Sequence, residues 1–258
     1  MRVIALEYHD IVPDDAWETS GFPGNAAATY KLSVTTFGDH LRALAQTVGS
    51  IVTDVNGTPN AGASVVLTFD DGGSGYMAAA DLLEHHGWRG CVFMTTGRIG
   101  SPGFLTAGEL RSLQGRGHVI GTHSRSHPIR MAALPAPAIY EEWHASITDL
   151  QDALGTAVNV GSVPGGYHSP QVAAAAAAAG LKTLFTSEPE MTIRRVDGCA
   201  VVGRYTLRRN DPAAYAARLV GTTPFARSAQ WCKWNAKKLA KAIGGTTYLR
   251  VRERILER

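Results

Sequence analysis

A chain of 258 residues can bury a sizeable core, and its composition, 45% hydrophobic and 18% charged, excludes extensive disorder. A formal charge of only +3 argues against nucleic-acid binding by bulk electrostatics; the late basic residues Arg194, Arg195, Arg204, Arg208, Arg209, Lys233, Lys237, Lys238 and Lys241 read first as a solvated face, with peripheral contact to an anionic membrane or a phosphate-bearing glycolipid left open. Cys91, Cys199 and Cys232 form no even disulfide framework, the opening apolar run is too short for a signal segment, and no stretch is long enough to span a bilayer, so a cytoplasmic setting is expected.

Along the chain, short β-rich runs end at Gly, Asp or His and lead into segments of helical periodicity. Strands are expected at 3–8, 65–69, 90–95, 118–121, 159–162, 181–185 and 200–205, with helices at 37–48, 76–86, 106–114, 138–154, 169–179 and 212–220. Thr106 and Glu109 have the spacing of a capping box, and the alanine run 173–179 reads as a closely packed helix stopped by Gly180. Residues 10–30 and 162–170, rich in Gly, Pro, Asn and Ser, are expected to be substrate-facing loops. Seven or so βα units predict an irregular (β/α)7-type barrel in a single domain, 1–258, whose segment 224–258 is a C-terminal helix and basic tail. In such barrels chemistry collects where strands end.

The motifs sit at those ends. Val65 to Gly73 delivers two adjacent acids, Asp70 and Asp71, at a glycine turn. Neighbouring side chains of a regular strand point to opposite faces, so both acids address one site only because the strand stops there. A second apolar strand runs into Gly121-Thr122-His123-Ser124-Arg125-Ser126-His127-Pro128, with two histidines four apart. Two histidines and a carboxylate at strand ends make a donor set that leaves metal positions open to water and substrate. One divalent ion is expected, zinc before cobalt, nickel or manganese.

Thr68-Phe69-Asp70-Asp71-Gly72 followed by His123-x-x-x-His127 resembles the hallmark of the polysaccharide deacetylases, the NodB-like domains of carbohydrate esterase family 4. The resemblance covers about residues 3–184. It implies that Asp71, His123 and His127 hold the metal and that Asp70 is the general base. The family's Arg-x-Pro-x-Gly motif stands here as Ser162-Val163-Pro164-Gly165-Gly166, without its arginine; Arg204 or Arg98 is the expected substitute partner of Asp70. A late Leu-x-His motif is also missing. Instead, Leu6-Glu7-Tyr8-His9-Asp10-Ile11 is similar to the first strand of the permuted poly-N-acetylglucosamine deacetylases, which implies His9 as the general acid.

His168 is a rival acid or a substrate contact, Tyr167 a sugar-stacking ring, Glu188 a ligand for sugar hydroxyls, and Gly165 or Gly166 an oxyanion donor. The implied activity is removal of the acetyl group from an N-acetylhexosamine of a saccharide or glycolipid precursor. Two alternatives stay open: a deformylase or other C–N hydrolase on a lipid-linked sugar, and a degenerate relative that only binds carbohydrate.

Overall fold

The computed structural model describes residues 2–54, 64–166, 169–236 and 238. Its first strand, β1 (Val3–Tyr8), is buried along all six residues. β2 (Ile11–Val12), α1 (Asn25–Ala28) and β3 (Leu32–Ser33) follow within and just after the expected loop 10–30, and α2 (Val34–Ala45) begins three residues before its expected start because Ser33 caps it through Thr36 N. Next come β4 (Ser64–Phe69), α3 (Tyr76–His85), β5 (Cys91–Met94) and α4 (Ala107–Gly115), the last opened by the Thr106–Glu109 capping box. β6 (Val119–Thr122), α5 (Ala136–Leu154), β7 (Val160–Ser162), α6 (Pro170–Ala178) and β8 (Thr183–Phe185) continue the alternation. β9 (Arg194–Val196), β10 (Cys199–Val202), β11 (Arg204–Thr206) and α7 (Ala213–Val220) complete the named elements.

The main sheet has the order β11-β1-β4-β5-β6-β7-β8-β10-β9. Every pairing in it is parallel except β9 against β10. The strand expected at 200–205 is broken at Gly203: Val202 pairs with Phe185 of β8, whereas Arg204 pairs with Ala5 of β1. A side chain at 203 would sit on the Glu188 carbonyl oxygen, so the segment can change partners there only with glycine. One chain segment thus carries both flanks of the parallel sheet and brings it round on itself. With β10 and β11 taken as one staggered strand, the parallel strands number seven, the irregular (β/α)7-type barrel.

Period-two alternation sorts the strands' side chains. Ile4, Leu6 and Tyr8 of β1 and Val65, Leu67 and Phe69 of β4 join the layer packed by α2, α3, α4 and α7. Val3, Ala5 and Val66 turn the other way and pack with Cys91, Phe93, Phe185 and Val202 into an apolar interior plug. A third cluster holds α5 and α6 through Trp143, Ile147, Val172, Ala176 and Leu184. The alanine run serves there as a thin helix face, and Gly180, at φ 104°, lies just beyond it. Trp143 is wholly buried, and truncation to alanine would cost about 3–5 kcal/mol.

No helix among the described residues is long and apolar enough to cross a membrane. The expected C-terminal helix is helical over residues 225–236; of the rest of the tail, residue 238 alone is among the described residues. Arg204, counted among the late basic residues of a solvated face, is fully buried.

Candidate active site

The parity that puts Val3, Ala5 and Val66 inside the barrel also puts Glu7, Thr68 and Asp70 inside, one step nearer the strand ends. A polar layer therefore lies above the apolar plug. Arg204 is its hub. Nη1 donates to Asp70 Oδ1 at 2.7 Å and Nη2 to Asp70 Oδ2 at 2.7 Å, a two-pronged pairing that fixes the carboxylate plane. Nη2 also reaches Glu7 Oε1 (3.0 Å) and Ser162 Oγ (2.8 Å), Nη1 reaches Thr68 Oγ1 (3.1 Å), and Nε donates to the Thr186 carbonyl (3.1 Å).

Glu7 is secured independently, by Ser187 Oγ at 2.6 Å and by the Thr206 hydroxyl. A buried charge survives only when paired and hydrogen-bonded, and here two carboxylates share one guanidinium. Burial pushes the Asp70 carboxyl up, but the Arg204 cation, with His123 and His9, more than reverses this and leaves it well below the carboxylate range. A carboxylate offers about four lone-pair sites. Arg204 fills two, and Ser162 Oγ, at 3.2 Å from Oδ2, a third.

Past the strand end, Asp71 faces two imidazoles. Its Oδ1 lies 3.5 Å from His123 Nε2 and 3.4 Å from His127 Nε2. These separations are long for hydrogen bonds, yet the edge of a tetrahedron with metal–ligand bonds of about 2.0–2.1 Å is about 3.3–3.4 Å. The donors are grouped so that they could hold a metal ion. His123 Nδ1 donates to the Ser162 carbonyl at 3.0 Å, which leaves the Nε2 lone pair toward Asp71. Burial lowers His123 to about 4, so it is a neutral imidazole at neutral pH.

Asp71, Ser124 and His127 all have left-handed backbones, with φ of 73°, 63° and 58°. Ser124 Oγ accepts from His127 N and steadies the turn that brings the second histidine back. Behind Asp71 the chain needs glycine. Asp10 is buried beneath it, and a Cβ on Gly75 would stand 2.5 Å from Asp10 Oδ1 and one on Gly73 2.3 Å from Asp10 Oδ2.

At the end of β1, His9 stacks on Tyr30 at 4.7 Å, and its Nδ1 is buried without a hydrogen-bond partner. His9, Glu7 and Asp70 bring donor atoms within 4.8 Å of one another. Arg204 already occupies both carboxylates of that second group, so it has no call for an ion.

A family profile described as polysaccharide deacetylase matches residues 57–184, the span that carries both acids and both histidines. Residues 57–184 belong to the polysaccharide deacetylase family. The fold of the chain is similar to three solved structures. They are Streptococcus pyogenes deacetylase PplD in complex with acetate (TM-score 0.71, 19% identity, 85% of this chain and 98% of that one), IcaB from Ammonifex degensii (0.69, 20%, 85% and 97%) and a de-N-acetylase from Aggregatibacter actinomycetemcomitans (0.69, 18%, 85% and 100%). A comparison with curated proteins gives no match.

Other expected site residues fall differently. Arg98 lies over the Phe22 and Phe104 rings, at 5.6 and 5.9 Å, and it is Arg204 that touches Asp70. Gly165 is left-handed at φ 67°, but the Gly166 N–H is spent on the Val163 carbonyl at 2.8 Å, which removes it as an oxyanion donor. Gly166 is required for packing instead, since a Cβ there would strike Ser187. The Glu188 carboxylate, expected on sugar hydroxyls, is engaged by Lys238 at 2.9 Å and faces Arg194 at 3.8 Å. Tyr167 and His168 lie outside the described residues.

Glu7, Thr68 and the Ser162 hydroxyl were not singled out as site residues. The sequence did carry a signal for Glu7, an acid at inner parity within an otherwise apolar strand.

Proposed function

We propose that this chain is a divalent-metal-dependent carbohydrate N-deacetylase that hydrolyses the acetamide of an N-acetylhexosamine. The observation that carries the reading is the adjacency of two unlike acids. Asp70 is locked to Arg204, while Asp71 faces His123 and His127 across distances suited to one ion.

Asp71, His123 and His127 would hold the ion, zinc by preference for a two-histidine, one-carboxylate set. When bound it supplies Lewis acidity to the amide carbonyl and to an attacking water. Asp70 takes the water's proton at its remaining lone-pair site; Arg204 and Ser162 keep the carboxylate ionised and aimed. The Gly165 N–H would stabilise the developing oxyanion, where a glycine permits close approach. His9 donates a proton to the departing amine, from a ring oriented by Tyr30. Without that proton the tetrahedral adduct reverts to amide.

The test is acetate release from N-acetylglucosamine oligomers and lipid-linked N-acetylhexosamines. Zinc-loaded protein, metal-free protein and Asp70→Asn are run side by side. Release that needs both zinc and Asp70 supports the proposal; no release from any substrate by the zinc-loaded protein overturns it.

A further inference from the structure

The turn after β6 has to bring His127 back beside His123 across three intervening residues. Ser124 and His127 have left-handed backbones without being glycine, and such a turn persists only where other groups over-determine it. The backbone amides show which groups these are. His123 N donates to the Met94 carbonyl (2.8 Å), Ser124 N to Thr122 Oγ1 (3.0 Å) and His127 N to Ser124 Oγ (3.1 Å). The two amides in the middle of the turn go to a different element. Arg125 N and Ser126 N both donate to Glu142 Oε2 of α5, at 3.1 and 2.9 Å, and Ser126 Oγ donates to Glu142 Oε1 at 2.6 Å.

One carboxylate thus accepts three donors of the turn, and hydrogen bonds to an ionised acceptor are the stronger kind. The carbonyls of the turn are held by another segment: Ser124 O accepts from Thr96 N (3.2 Å) and Arg125 O from Gly97 N (2.9 Å). A Cβ on Gly97 would stand 2.8 Å from the Arg125 carbonyl oxygen, so this contact needs glycine.

Glu142 shares its helix face with residues 146 and 149, which grip the same region. Ser146 Oγ meets Thr122 Oγ1 at 2.5 Å, and Asp149 Oδ2 accepts from Thr96 Oγ1 at 2.8 Å and lies 3.5 Å from Arg125 Nε. The buried side chains of Ile139, Trp143, Ile147 and Leu150 fix α5 to the core, so the helix keeps its place without Glu142.

We propose that Glu142 is the positioning residue of His127: by holding the Arg125 and Ser126 amides it sets where His127 Nε2 stands relative to Asp71, and thereby how tightly the group binds an ion. The inference rests on the reading of Asp71, His123 and His127 as the metal site. It gives Glu142 no contact with substrate.

The test compares Glu142→Ala, Glu142→Gln and Glu142→Asp in the full-length protein. Glutamine keeps an oxygen acceptor for the two amides, whereas aspartate keeps the charge on a side chain one methylene shorter. The zinc Kd, read by competition with a chromophoric chelator, should rise about 10–100-fold in the alanine variant and about as much in the aspartate variant. Glutamine should stay within about threefold of wild type. The visible spectrum of the cobalt-loaded proteins should depart from wild type in the same order. In metal-free protein, hydrogen exchange at the Arg125, Ser126 and His127 amides should accelerate in the alanine and aspartate variants, while the β6 amides keep their wild-type rates.

A zinc Kd unchanged in Glu142→Ala, or one restored by aspartate and not by glutamine, overturns the proposal. Affinity lost alike in all three variants, with faster exchange throughout the barrel, marks a general folding role and overturns it too. Wild-type protein that takes up no zinc strikes the metal reading instead; exchange in the turn then decides whether Glu142 places His127, and rates unchanged in Glu142→Ala refute it. If the alanine variant does not fold, glutamine against aspartate gives the same contrast.

Discussion

Arg204 and Ser162 meet inside the barrel, Nη2 to Oγ at 2.8 Å, although their strands β11 and β7 do not pair with each other. Both touch Asp70. The small side chain at 162 leaves room in the interior, and the guanidinium arriving from β11 fills it.

Arg204→Ala should therefore be costly twice over. It leaves Glu7 and Asp70 buried without their shared cation, a loss of about 3–5 kcal/mol in stability, and should lower turnover by at least about a hundredfold. Arg204→Lys should rescue little, because an ammonium cannot span both Asp70 oxygens. Denaturant midpoints and initial rates measure the two effects. A folded alanine variant with wild-type turnover would remove Arg204 from the mechanism.

Asp70→Asn keeps the shape of the site and removes the proposed base. Turnover should fall by about 10³ or more, while bound zinc, measured by atomic absorption, stays at the wild-type stoichiometry. Loss of the zinc together with the activity would mean that Asp70 is a ligand.

Removal of metal by a chelator should abolish acetate release, and zinc should restore it. Zinc at about 100 times its Kd should stabilise the fold by about 2.7 kcal/mol, seen as a rise in Tm. His123→Gln should erase that rise; a rise that persists in the variant places the ion elsewhere.

The barrel was legible because apolar runs alternate with helical periodicity, and β1 was delimited to the residue. Its closure was not. The run 200–205 reads as one strand, and nothing local reveals that Gly203 marks a change of partner. β9 was missed because its exposed arginines, Arg194 and Arg195, carry no inward periodicity. In the site, the two motifs announced the acids and histidines. What remained hidden was long-range, as with Arg204, whose sequence neighbourhood is that of a surface basic cluster and whose parity with buried Val202 becomes meaningful only once the strand is placed.

Asp10 supplies a pH test independent of turnover. Burial is the main force that raises its carboxyl to about 6, partly opposed by Ser20 and Lys31, and one of its oxygens has no partner. The folded state thus holds a proton that the unfolded chain, near 3.8, releases sooner. Stability associated with this group is full below about pH 4, declines as the pH rises to about 6, and is lower by about 3 kcal/mol above that. Asp10→Asn should move in stability relative to wild type, in its own favour, by about that amount between pH 4 and pH 7. Metal-free denaturation at the two pH values checks it, and a constant difference would refute the assignment.

The left-handed backbones of Asp71, Ser124 and His127 set selection for durability against selection for chemistry. Strain of this kind costs on the order of 1–3 kcal/mol per residue at worst, and glycine relieves it at each position. A library screened only for heat resistance should drift toward glycine at those three places, and its most robust members would be the ones that had given up the side chains proposed to hold an ion.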